Sequence, residues 1–233
     1  MSDRFELTDC VPRVLGQKAA AGNVVAGLLP IVDFFQLSDT FERLGHIGIA
    51  VRGRAHSVLL FSRRPIRQLD GAIIAVTEET STSAVLLRLL LEQRYQLHSM
   101  TYERRRSPEA DALLLIGDEA LQFQQTNRLY PFEIDVAFEW WLWQHRPFVF
   151  AVWAIRKDIG AHEKKSLEAA LMKSLTINSG DGLTLIAQEY STALGVPADE
   201  LRRYLSNFVY RLGRDEEDAM TTFQGLIHEH HLL

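Results

Sequence analysis

The sequence lacks the marks of several large protein classes. It has one cysteine, Cys10, which excludes an internal disulfide framework and fits a reducing compartment. The first ten residues, MSDRFELTDC, are too charged for a secretory h-region. The longest aliphatic–aromatic run, Pro147–Ile155, is far too short to span a bilayer. The expected setting is therefore cytoplasmic, with no membrane partner. A net charge of −5 argues against a broad nucleic-acid surface. No Gly-rich phosphate loop, G-x-S-x-G or H-E-x-x-H is present, and no low-complexity run. The terminal HEHH, His228–His231, has no second Cys or His group to complete a metal set and reads as a solvated tail. ERRRS, Glu103–Ser107, has no interleaved aromatics and reads as a solvated loop. A small anion remains a plausible ligand, because local donors matter more than total charge.

What is present is a chain of 233 residues in which short apolar runs alternate with amphipathic segments of helix length. That length suits one large domain or two lobes sharing a chain. RFELT, VVAGLLPIV, His56–Ser62, Gly71–Val76, LHSMTYE and Asp111–Gly117 read as strands, and VPRVLGQKAAAG as a helix closed by Gly22. Most of the strands are continuous rather than alternating, the pattern of parallel strands covered on both faces. Strands alternating with helices give an α/β class. From Glu163 onward the pattern is helical: three helices and a fourth, terminal one, with almost no strand signal. Two apolar stretches read as hinge strands, residues 57–62 and 148–153. They divide the chain into a discontinuous first lobe, 1–56 plus 154–233, and a second lobe, 63–147. This is the plan of a two-lobe binding protein with its ligand in the cleft.

Three motifs suit such a cleft. In AVTEETSTSAVLLRLLL, four consecutive hydroxyl residues, Thr80, Ser81, Thr82 and Ser83, precede a leucine-rich helix. A helix N-terminus carries unpaired N–H groups and partial positive charge, so it attracts carboxylate or phosphate, and hydroxyls add donors. The plainer reading is an N-cap with spare polar neighbours. In LLLIGDEAL, an apolar strand ends in Gly117 and Asp118, where α/β folds place ligands. Asp118 reads either as a helix N-cap or as a cleft group for proton transfer. In LLPIVDFF, Pro30 makes a rigid turn at a strand end, and in a two-lobe protein that turn lines the cleft. The tryptophans of FEWWLWQHRPFVF read as a helix packed on a sheet rather than a stacking site, with His145 and Arg146 at its end.

Taken in order, HSVLLFSRRPI, TSTSAVLLRLLL, LLIGDEAL, YPFEID, PFVFAVW and LRRYLSNFVYRLG resemble the chorismate dehydratase family of the futalosine route to menaquinone. The resemblance runs from about Phe5 to the end. It implies a type II periplasmic-binding-protein-like fold with a helical C-terminal segment, and a hydro-lyase acting on chorismate without metal or redox cofactor. It implies substrate contacts at Ser81, Thr82 and Ser83, at Ser57, Pro30 and Ile31, and at Gly117 and Asp118, with Asp118 as the catalytic group. A sister enzyme, acting on cyclic dehypoxanthinylfutalosine precursors, carries a histidine at the position of Asp118, so GDE points to the dehydratase branch. Arg52 and Arg54 of VRGRAH fall close to the cleft wall, placed to steer an anion. The family's usual opening, a strand and turn of the form YLN-PL with a functional asparagine, has no match here. Nor does the glycine usual in RPFVF, or the acid usual before the Ala-Gly of GNVVAGLLP. A start upstream of Met1, another segment or chain in that place, or a non-catalytic anion-binding or sensor protein on the same fold would each explain the missing strand. That strand lies mid-sheet in this fold, so its absence predicts unpaired neighbours.

Overall fold

The computed structural model describes residues 6–104 and 109–233. Helix α1 (Pro12–Ala20) leads to β1 (Ala26–Pro30), α2 (Ile31–Gln36), β2 (Phe41–Val51), β3 (Val58–Ser62), β4 (Ile73–Val76), α3 (Thr82–Leu89) and β5 (Thr101–Glu103). Then come β6 (Ala112–Ile116), α4 (Gly117–Thr126), β7 (Phe132–Asp135), α5 (Val136–Gln144) and β8 (Phe148–Arg156). The chain closes with α6 (Ala161–Asn178), α7 (Asp181–Leu194), α8 (Ala198–Ser206), β9 (Phe208–Arg211) and α9 (Arg214–Glu229). One sheet has the order β1-β8-β2-β9, the other β5-β4-β6-β3-β7. Every residue of β3 is buried, which accounts for its unbroken apolar run.

Several expectations are corrected here. Only β4 runs parallel, to β5 and β6; every other pairing is antiparallel. A continuous apolar run records burial on both faces and says nothing of the neighbour's direction. Residues Glu6–Thr8 of RFELT form no strand; Arg4 and Phe5 lie outside the described residues. Strand β8 sits between β1 and β2, and among the described residues β1 is the edge of its sheet. Strand β2 had gone unread, because its glycines break the apolar pattern. One is obligatory: a Cβ on Gly48 would meet the Ala151 carbonyl oxygen at 2.5 Å. Strand β7 was also missed. In the tail, the helix expected over PADELRRYLSNFVYRLG stops at Ser206, and Phe208–Arg211 becomes a strand on β2. Aromatic and β-branched residues there take up an open strand edge, which overrides helical continuation.

The largest core cluster is continuous across both sheets. It includes Ala50, Val51 and Val152 from one, Leu60, Ile74 and Leu114 from the other, and Trp140 and Phe223 from α5 and α9. Trp140 packs edge-on against Phe148 and Phe223 with centroids 5.5 and 5.7 Å away, and its Nε1 donates to the Pro147 carbonyl at 3.0 Å. Trp140 is therefore core, with half-buried Trp143 packed against the same cluster, while Leu142 is exposed. His145 closes α5 in the left-handed region (φ 52°) and is exposed. Buried Asp135 caps α5 through the Phe138 N–H and also accepts from the His56 N–H at 2.8 Å, which ties the entry to β3 against α5. No helix is long and apolar enough to cross a membrane, among the described residues.

Candidate functional site

Pairing in the second sheet sets Val76 of β4 opposite Leu114 of β6, and Ile116 of β6 opposite Val58 of β3. The C-terminal ends of β4 and β6 and the start of β3 therefore share one edge. Helices α3 and α4 open along it, and Ser57 stands beside them. The first sheet meets this edge through α2, where the Val32 N–H donates to Thr82 Oγ1 at 3.4 Å. This places the start of α2, which opens at Ile31 directly after Pro30, beside α3.

The four hydroxyls are not equivalent. Thr80 Oγ1 accepts from the Ser83 N–H at 3.0 Å, ahead of the N-cap Ser81, whose own side chain makes no capping bond. Ser81 donates its proton to the Asp33 carboxylate of α2. Thr82 accepts from Val32, which leaves its own O–H free to donate. Ser83, only 3% exposed, makes no side-chain hydrogen bond among the described residues. Thr82 and Ser83 thus retain donors for an anion, and Ser81 does not.

The other cluster forms at α4. The Gly117 N–H donates to the Ser57 carbonyl at 2.8 Å, and Gly117 itself adopts φ +56°. That conformation, rather than a close approach, accounts for the glycine, since nothing lies within 4 Å of the position of a Cβ. Asp118 is exposed in the first turn of α4 and is not its N-cap; that position belongs to Ile116. The buried Ser57 Oγ accepts from the Tyr204 hydroxyl of α8 at 2.8 Å. Burial pushes the Tyr204 phenol above its ordinary range, and the nearby Asp118 charge reinforces this.

A cavity of about 310 Å³ at the end of β4 is lined by Thr77, Glu78, Glu79, Arg104, Leu115 and Glu119; Thr82, Ser83, Ser57, Gly117 and Asp118 are not among its lining residues. Burial raises the Glu79 carboxyl above the usual carboxylate range, and the charges of Glu119 and Asp118 raise it further. Arg104 lies among these acids, donates to the Thr80 carbonyl at 3.2 Å, and has its pKa lowered by burial and by Arg13. Across α3, a cavity of about 320 Å³ is lined by Asp33, Ser81, Arg88, Tyr102 and Arg104 among others. Burial lifts the Asp33 carboxyl, against the lowering effects of Ser81 and Arg13.

Two arginines expected to steer an anion are otherwise engaged. Arg52 pairs with Asp215 at 3.3 Å and with buried Glu216 at 3.0 Å. Arg54 lies over the Phe138 ring, 4.1 Å from its centroid. In ERRRS, residues 105–107 lie outside the described residues. No group of three or more His, Cys, Asp or Glu is arranged to hold a metal ion, among the described residues. Sequence reasoning missed Asp33, Glu79, Arg104 and Tyr204. An acid inside the apolar LLPIVDFF was a signal for Asp33; Tyr204, at an ordinary amphipathic position, offered none.

The chain matches the model of the menaquinone biosynthesis family over residues 1–229. It is 32% identical to the chorismate dehydratase of Thermus thermophilus over 238 residues, covering 94% of this chain and 85% of that protein. Its structure is similar to that of protein AF1704 of Archaeoglobus fulgidus (TM-score 0.77, 18% identity, 97% and 86% of the two chains). It is also similar to the alkanesulfonate-binding protein SsuA of Xanthomonas axonopodis bound to MOPS (TM-score 0.66, 13% identity, 96% and 81%). These likenesses show a periplasmic-binding-protein-like α/β fold. The match over nearly the whole length, with a chorismate dehydratase as homologue, places this chain in the menaquinone biosynthesis family.

Proposed function

We propose that the chain is a cytoplasmic chorismate dehydratase of the futalosine route, a hydro-lyase that converts chorismate to 3-[(1-carboxyvinyl)oxy]benzoate. The observation that carries this reading is the pair of uncommitted donors, Thr82 and Ser83, at the opening of α3. Thr82 and Ser83 bind one substrate carboxylate; Ser57, Pro30 and Ile31 form the wall of the first lobe, 1–56 plus 154–233. Gly117 and Asp118 close the side of the second lobe, 63–147. Asp118 takes the proton from the ring carbon that bears the enolpyruvyl ether. The C–H electron pair forms the ring double bond as the neighbouring C–O bond breaks; Asp118 passes its proton to the departing hydroxide, which leaves as one water. Aromatisation drives the reaction, so the protein supplies placement and charge. A non-catalytic small-anion-binding or sensor protein on the same fold is the second reading; the same two donors, Thr82 and Ser83, would serve it without turnover.

Mixing purified protein with chorismate separates the two. A new aromatic ultraviolet absorbance is expected; tight binding without it leaves only the second reading. Ser83→Ala is the clean probe of the anion site. It is expected to weaken chorismate binding roughly ten- to hundredfold, the range of a hydrogen bond to a charged group, with little change in melting. Unchanged affinity refutes the assignment. Thr82→Val also strips the Val32 N–H of its acceptor, so it is expected to lose stability as well.

A further inference from the structure

Tyr204 and Ser57 are 147 residues apart in the chain, yet their hydroxyls meet at 2.8 Å. Packing alone does not call for a tyrosine: the ring rests edge-on against Phe208, with centroids 5.2 Å apart, and phenylalanine would make the same contact. What the hydroxyl adds is one donated hydrogen bond. Ser57 is held from two further directions, since its carbonyl accepts the Gly117 N–H and its neighbour His56 donates its N–H to Asp135. Its backbone is therefore fixed by α4 and α5, and its side chain by α8.

The direction of the hydrogen bond matters. Tyr204 donates and Ser57 Oγ accepts, so the serine's own proton is the one left to point elsewhere. Burial raises the phenol, so Tyr204 stays a neutral donor through the working pH range. The Asp118 carboxylate stands close enough for its charge to act on Tyr204, and it repels substrate carboxylates from this corner. A neutral group of the substrate belongs beside Ser57.

We propose that Tyr204 is a positioning residue: by donating to Ser57 Oγ it fixes the serine hydroxyl as a donor to the departing hydroxyl of the substrate. The C-terminal segment thereby adds a residue to a site otherwise built from the ends of the two sheets. This inference rests on the dehydratase reading above. It assigns Ser57 to leaving-group stabilisation rather than carboxylate binding, and makes Tyr204 its support.

The test is a double-mutant cycle on chorismate turnover with Tyr204→Phe, Ser57→Ala and the pair. Tyr204→Phe is expected to lower kcat roughly tenfold, about one hydrogen bond's worth, with KM changed less than twofold and melting preserved. In the Ser57→Ala background the same change is expected to have no further effect, because its only target is gone. Full additivity, a KM effect without a kcat effect, or an unchanged Tyr204→Phe enzyme overturns the inference and leaves the dehydratase reading standing. Wild-type protein inert towards chorismate overturns both.

Discussion

Replacing Arg52 by alanine distinguishes a structural cation from a ligand-steering one. The Glu216 carboxylate is 1% exposed, although it belongs to a surface helix. Its Oε1 accepts from Arg52 Nε at 3.0 Å, and its Oε2 reaches back to accept from the Gly213 N–H at 2.8 Å at the N-terminus of α9. Without Arg52 the buried carboxylate keeps one backbone donor and no counter-charge. Breaking a fully buried pair costs about 3–5 kcal/mol, but the Arg52 side chain is 53% exposed, so water takes over part of its role. A loss of about 2 kcal/mol follows, between the surface and buried limits. In a chain of this size that lowers Tm by roughly 4–8 °C. Thermal unfolding followed by circular dichroism measures the stability, and fluorescence titration measures chorismate affinity, which is expected to stay within about twofold. Arg52→Ala combined with Glu216→Ala should cost less than the sum of the two singles, because the second change removes the stranded charge. A melting point within about 1 °C of wild type, with affinity down tenfold or more, would refute this reasoning and return Arg52 to the ligand.

Two further outcomes follow from the same geometry. Trp140→Phe removes the donor to the Pro147 carbonyl and part of the buried ring volume, and should cost roughly 2 kcal/mol in guanidinium unfolding; a loss under about 0.5 kcal/mol would mean that the site collapses freely. Burial raises the Asp33 carboxyl, so its contribution to stability is present below the usual aspartate range and is lost as pH rises through the elevated value. Asp33→Asn, which can still accept from Ser81, should therefore gain relative to wild type as pH rises towards neutral. Urea midpoints whose difference does not change with pH contradict that account.

Much of the fold was legible because local physics wrote it. Gly195 ends α7 in the left-handed region, as its place after a periodic run required. The apolar runs at β3, β4 and β6 lie within a residue or two of where they were read. The failures share one cause. Strand direction, the unread β2 and the switch from helix to strand at Phe208 all depend on what lies alongside, and no stretch of chain contains its own neighbour. FVYR after α8 carried some β signal, but pairing with β2 decided its state.

For the site, the sequence by itself determined that hydroxyls would crowd the start of α3 and that a Gly-Asp pair would open α4. Helix N-termini and strand ends are local features, and their residue types follow from unpaired N–H groups and permitted backbone angles. Only the tertiary structure decided which of those hydroxyls still has a proton to give. Ser81 commits its O–H to a hydrogen bond with Asp33 of α2, Thr82 accepts from Val32, and Ser57 accepts from Tyr204 near the other end of the chain. A hydroxyl's availability depends on whichever atom lies within about 3 Å of it, and that distance is set by packing between segments the sequence keeps far apart.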